Sequence, residues 1–166
     1  NMNLNLKDKI NQDLSVAFKS GNNDTVSTLR FLMSVVKNKE LEKRTKLSKE
    51  GKSTDELPKL SELADEEIVS VVLGEIKKHK ESIAQYEKGG REDLVKKETV
   101  ELGILKKYVP EEIPEEELRL IVRKKIAEMG KTTMKDFGKI IGSVMSEVKG
   151  RAGGDVVKKI IEEELK

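Results

Sequence analysis

Cysteine is absent from these 166 residues. Disulfides, thiolate nucleophiles and zinc–thiolate sites are excluded with it, and the lack is in keeping with a reducing compartment, here expected to be the cytoplasm. Tryptophan is also absent, and aromatic residues make up only 3% of the chain. Small-molecule pockets lean on large flat side chains, so an aromatic-lined pocket is not expected. No apolar run approaches the ~18 residues of a membrane span, and no signal-peptide pattern opens the chain, so no membrane partner is expected. Asn1 ahead of Met2 reads as the remnant of a tag, with Met2 the expected natural start. Histidine occurs once, as His79. Without cysteine or a second histidine the usual metal cluster cannot be built, and His79 reads as a packing position beside an apolar stripe; no metal or other cofactor is expected.

Charge is what the chain has in quantity. Asp, Glu, Lys and Arg are 39% of it, mostly Lys and Glu. At helical spacing this composition implies long solvated helices. Net charge is only +2, so any phosphate contact must come from a local patch rather than from a global field.

Apolar residues recur at spacings of three and four, and strand-like alternation is missing, which predicts an all-α fold. Residues 1–110 read as an N-terminal domain of long helices and 111–166 as a C-terminal three-helix bundle, with Pro110 and Pro114 bracketing an acidic linker. The first helix carries Ile10, Leu14, Ala17 and Phe18 and stops at Gly21. Asp24 is positioned to cap the second, whose stripe is Val26, Leu29, Met33, Val36 and Leu41. From about 43 to 62 the pattern dissolves and predicts a long polar connection. A third helix begins at Asp65 and ends at Gly89-Gly90, and a fourth carries Leu94, Leu102, Leu105 and Val109. Beyond the prolines, Leu118 to Met129, Phe137 to Val148 and Val156 to Leu165 mark the remaining three.

Chemistry-bearing groups concentrate near the C-terminus. Gly138, Gly142 and Ser146 repeat every four residues along one helix face. Each helical glycine lowers stability by roughly 1 kcal/mol relative to Ala, so close packing within the bundle is the first reading of the stripe and a ligand on that face the second. Lys149-Gly150-Arg151-Ala152-Gly153-Gly154 comes next. It reads first as a structural turn and second as an anion-binding concavity at the N-terminus of the next helix. It is not a Walker A loop, since no Gly-Lys-Ser or Gly-Lys-Thr follows these glycines. Lys135 and Lys139 on the preceding helix and Lys158 on the following one extend the basic patch. The segment 37–52 holds an excess of four positive charges and reads first as a solvated loop, second as a nucleic-acid grip. Arg30 and Arg91 read as helix-to-helix ion-pairing or capping residues within the N-terminal half. No paired acid and base or nucleophile is evident, so no catalytic residue is assigned.

Three stretches, LRFLMSVVKNKE (29–40), the segment 77–113 and DFGKIIGSVMSEVKGRAGGDVV (136–157), together resemble the YqeY family of small bacterial proteins. The last also resembles the tail domain of GatB, a subunit of the glutamine-dependent tRNA amidotransferase, in Gly138, Gly142, Met145 and Gly150-Arg151-Ala152. The resemblance implies a two-part helical protein whose C-terminal part holds tRNA or another structured RNA. In that role Lys149 and Arg151 would contact phosphates, Gly150 and Gly153 would admit a close backbone, and Lys135, Lys139 and Lys158 would add charge. It also implies a family-level description as a carbon–nitrogen ligase using glutamine as nitrogen donor. With no ATP loop or ammonia-forming triad here, that description is read as inherited from the shared tail. The alternative expectation is a protein–protein adaptor for translation or aminoacylation complexes. The chain departs from the family pattern at His79, where Arg is common, at Gly153-Gly154, where Asp-Gly or Asn-Pro is usual, and in its longer 43–62 stretch.

Overall fold

Polar side chains cap the first two helices and a 3₁₀ turn among the described elements. A computed structural model describes residues 4–130 and 133–166, and among them the regular elements are helices without a strand. Asn5 accepts from the Asp8 N–H and starts α1 (Leu6–Ser20), which Gly21 closes in the left-handed conformation. Asn22, rather than Asp24, caps α2 (Asn23–Lys49) by accepting from the Thr25 N–H. The short α3 (Leu57–Leu60), α4 (Asp65–Lys88) and α5 (Glu92–Lys106) come after it. Then come α6 (Glu115–Met129), a 3₁₀ turn (Met134–Asp136), α7 (Phe137–Val148) and α8 (Gly154–Glu164). Thr133 and Asp136 cap the 3₁₀ turn reciprocally.

The chain divides between Val109 and Pro110 into two compact units. In the first, α4 and α5 pair as an antiparallel hairpin, and α1 and α2 pack on it. Ile10, Leu29, Val36, Ile68, Val72 and Leu105 lie fully inside its core. Tyr108 closes this core, its hydroxyl donating to Asp13 at 2.6 Å. Burial and the Asp13 carboxylate both push the phenol's pKa up. The second unit is a three-helix bundle of α6, α7 and α8 around Leu118, Val122, Ile140, Val144, Val157 and Ile161. Ile113 and Ala152 cover one end of it.

Three expectations need correction here. The stretch 43–62 is not a continuous loop. α2 runs on to Lys49, because Lys, Glu, Leu and Arg favour helix even where no apolar stripe remains to be buried. The connection from α2 to α4 is pinned to its surroundings. Glu40 accepts from Lys7 Nζ at 2.9 Å and from the Leu63 N–H at 2.9 Å. Lys43 Nζ reaches Glu67 at 2.9 Å and the Glu62 carbonyl at 3.3 Å, and Leu57 is buried. Second, Phe18 and Leu41 lie outside the core. Phe18 is exposed and receives the Arg30 guanidinium over its ring at 5.5 Å, so Arg30 joins α2 to α1 by a cation–π contact rather than an ion pair. Third, Arg91 pairs locally with Asp93 at the start of α5.

Glu40 holds two partners at once, which makes it a test of the pinned connection. Glu40→Ala is expected to lower the stability of the protein by about 1–3 kcal/mol, the penalty for stranding partly buried partners. Urea unfolding measures the loss. Faster hydrogen exchange at the Leu63 amide locates it, and an unchanged rate there would show that the carboxylate does not anchor the segment.

Candidate nucleic-acid interface

α7 is divided lengthwise. Ile140, Val144 and Val148 are buried, with Phe137, Ile141 and Met145 packed beside them. At about 100° per residue, Gly138, Lys139, Gly142 and Ser146 fall on the opposite face. There the close-packing expectation fails. Gly138, Gly142 and Ser146 are all exposed, and a Cβ built on either glycine meets nothing within 4 Å. The bundle is filled from the opposite, apolar face of α7, so its packing has no use for glycines on this one. α7 therefore carries two helix-weakening residues that no contact within the unit repays.

Cations flank this bare strip. Lys135 lies in the 3₁₀ turn just before α7, Lys139 on the strip itself, and Lys149 at the C-cap. All three are exposed. Among the described residues none of them, nor Lys158 in the second turn of α8, forms an ion pair. The cations of α6 behave differently. Arg119 bonds to Glu115, Glu163 and Glu164, Arg123 to Glu164, and Lys125 to Glu147 at 3.3 Å. Arg119, Arg123 and Lys125 of α6 are thus neutralised against α7 and α8, whereas the lysines beside the glycine strip are left to solvent.

The loop between α7 and α8 has a defined shape. Lys149 sits at φ 34°, the one positive-φ non-glycine residue among those described, and Gly150 comes next at φ 77°. A left-handed Lys costs roughly 1–2 kcal/mol that Gly would not. Arg151 is tied down: its Nε donates to the Glu111 carbonyl at 3.1 Å, and its own carbonyl accepts from the Ile113 N–H at 2.8 Å. Its exposed side chain thus has a structural duty besides any contact with phosphate. Gly153 is the N-cap of α8 in an extended conformation and makes no side-chain cap, while Asp155 falls inside the first turn rather than at the cap. Lys149, Gly150, Arg151 and Gly153 share one loop at the C-terminal end of α7, whereas Lys135 and Lys139 lie at its other end, roughly 15–20 Å away along the helix axis.

His79 is not simply a packing residue. It stands on α4 against Glu98 and Glu101 of α5, a grouping invisible in the sequence because its members come from two helices. The only available signal was that they lie on either side of the Gly89-Gly90 turn.

The acidic partners of Arg119 and Arg123 give the bundle a pH dependence. Hydrogen bonds from these guanidinium groups hold the Glu163 and Glu164 carboxyls below their ordinary value of 4.5. A carboxyl whose folded pKa is depressed stabilises the fold above its unfolded pKa and loses that contribution as pH falls through the folded value. Arg119→Gln should therefore melt at a lower temperature than the parent protein at neutral pH. The gap should close as pH is taken below 4.5, which thermal melts across that range measure.

A family model described as Yqey-like protein matches residues 7–165. Among curated proteins, the chain is 29% identical over 160 residues to "Altered inheritance of mitochondria protein 41, mitochondrial" of Pyrenophora tritici-repentis (strain Pt-1C-BFP), covering 93% of this chain and 78% of that protein. It is 34% identical over 99 residues to the protein of the same name from Kluyveromyces lactis, covering 60% of this chain and 45% of that one. It is 30% identical over 100 residues to the one from Eremothecium gossypii, again covering 60% of this chain but 46% of that protein. The chain thus spans less than half the length of two of these relatives. No described helix is long and apolar enough to cross a membrane.

Proposed function

The chain belongs to the family of Yqey-like proteins, and we propose that it serves there as a non-catalytic accessory protein that binds tRNA or a similarly structured RNA through the glycine strip of α7 and the loop after it. The observation that carries this reading is the open strip between Lys135, Lys139 and Lys149. An exposed helix face without side chains lets a phosphodiester backbone come close, and the lysines beside it supply the counter-charge. Lys149 supports the reading from another direction, because a strained lysine stands where glycine would be the more stable choice. Backbone N–H groups at the start of α8 add donors near the same loop. Arg151 contributes by fixing the loop to Glu111 and Ile113 and by the charge it adds.

The relation to the amidotransferase tail belongs to this reading, in which the bundle holds RNA while any chemistry occurs on another protein. The cytoplasm is the first setting it invokes. Relatives named as mitochondrial point to a second compartment that also holds tRNA.

Stability and binding should move in opposite directions. Gly138→Ala and Gly142→Ala are each expected to raise helix stability by up to about 1 kcal/mol, since the added methyl meets nothing, while weakening tRNA binding. Lys149→Gly should likewise stabilise by about 1 kcal/mol and reduce affinity. Lys139→Gln with Lys149→Gln should flatten the salt dependence of binding by roughly 1–2 units of slope. Fluorescence anisotropy with a labelled tRNA, alongside urea unfolding, reads both quantities. Unchanged affinity in all of these variants would remove the strip and loop from the binding site. A partner captured on intact protein after nuclease treatment, and lost on Gly142→Ala, would instead assign the strip to a protein helix.

A further inference from the structure

The first unit holds a second polar centre that the RNA reading does not use. A cavity of 310 Å³ is lined from α2 by Thr28 and Phe31, from α4 by Glu75 and His79, and from α5 by Lys97 and Glu101. His79 Nδ1 is hydrogen-bonded to Glu98 and lies 3.7 Å from Glu101 Oε2. The three donor atoms of His79, Glu98 and Glu101 all lie within 4.8 Å of one another. Glu98 and Glu101 are three apart on α5 and project together, and each side chain is only 19% exposed. Two carboxylates held that close in a half-buried position repel each other unless a cation lies between them.

The cavity wall supplies an independent sign of a ligand. Thr28 is 6% exposed, and its Oγ1 is sealed from solvent without a hydrogen-bond partner among the described residues. Buried hydroxyls nearly always have a partner, and leaving one without costs about 1–3 kcal/mol. Glu75 lines the same cavity at 5% exposure, and Lys78 reaches it from the surface at 3.2 Å. The cavity therefore offers one imidazole, the Glu75 and Glu101 carboxylates, the Lys97 ammonium and an unpartnered hydroxyl, with Glu98 against His79 beside it.

We propose that this cavity binds a divalent transition-metal ion, Zn²⁺ or Mn²⁺ in the first instance, with His79, Glu98 and Glu101 as its protein ligands. One imidazole and two carboxylates form a hard-to-intermediate donor set suited to these ions. The separations require only small side-chain rotations to bring three donors to bonding distance of one ion. Three protein ligands leave coordination positions for water on the cavity side, which the Thr28 hydroxyl and the Glu75 carboxylate line as acceptors for its hydrogen bonds. The ion would join α4 to α5 across the hairpin, at the point where α2 crosses both.

Because His79 is the chain's only histidine, the test needs no assignment. The full-length protein is titrated with ZnCl₂ and separately with MnCl₂ by isothermal titration calorimetry, and the imidazole nitrogen signals are followed by NMR. Binding of one ion per chain is expected, with the imidazole signal shifted by Zn²⁺, broadened by Mn²⁺ and restored by EDTA. The melting temperature should rise with metal concentration. His79→Gln and Glu98→Gln are expected to weaken binding by about 10-fold or more, and Thr28→Val by less. Circular dichroism confirms that each variant is folded. If either ligand variant does not fold, the parent protein's imidazole signal decides the matter. An imidazole that neither ion perturbs, or one-to-one binding that persists undiminished in folded His79→Gln, overturns the proposal.

Discussion

Branched aliphatic side chains buried along narrow helix faces hold both halves of this protein together, because little else is present to do so. With no tryptophan and few other aromatics, the interior cannot be filled by a few large rings. Ile10, Leu29, Ile68 and Val72 in one unit, and Leu118, Ile140, Val144 and Ile161 in the other, are all essentially inaccessible to water. Each such residue contributes on the order of 1.5–3 kcal/mol by burial. The seams are thin, so each helix buries one face and leaves most of its circumference for charge. This is why so strongly charged a chain still folds, and why its functional chemistry sits on helix exteriors and between helices.

The two candidate sites use that exterior in opposite ways. On α7 the sequence removes side chains and leaves the cations beside them without an ion pair among the described residues. Between α4 and α5 it crowds acidic groups into partial burial around a single imidazole. The first arrangement suits a large, extended anion that must come close. The second suits a small, doubly charged cation that must be enclosed.

The apolar rhythm of the sequence is enough to make most of the helices legible. Ile68, Val72 and Ile76, or Ile140, Val144 and Val148, announce both the helix and the face it buries. The C-terminal end of α2 was not legible from that rhythm, because beyond Val36 the helix continues without a core to meet, held by propensity and by Glu40 and Lys43 reaching to the segment before α4. Gly138 and Gly142 were visible as a motif but not as a surface. Spacing says that two residues share a face and cannot say whether another helix covers it. His79 could be seen only as a lone residue, since its neighbours Glu98 and Glu101 arrive by way of the hairpin turn.

The tie between Arg151 and the segment that enters the second unit bears on how such a module can be moved between proteins. Arg151 grips the Glu111 carbonyl, and its own carbonyl receives the Ile113 N–H, while Ile113 covers the end of the core. The shape of the loop before α8 is thus written partly in residues that precede α6. A recombination joint placed at the first residue of α6 would carry three intact helices into a new host and leave behind the splint that sets their loop. The inheritable unit begins upstream of its helices, and a graft that respects the residues from Pro110 onward keeps the loop and the bundle as one piece.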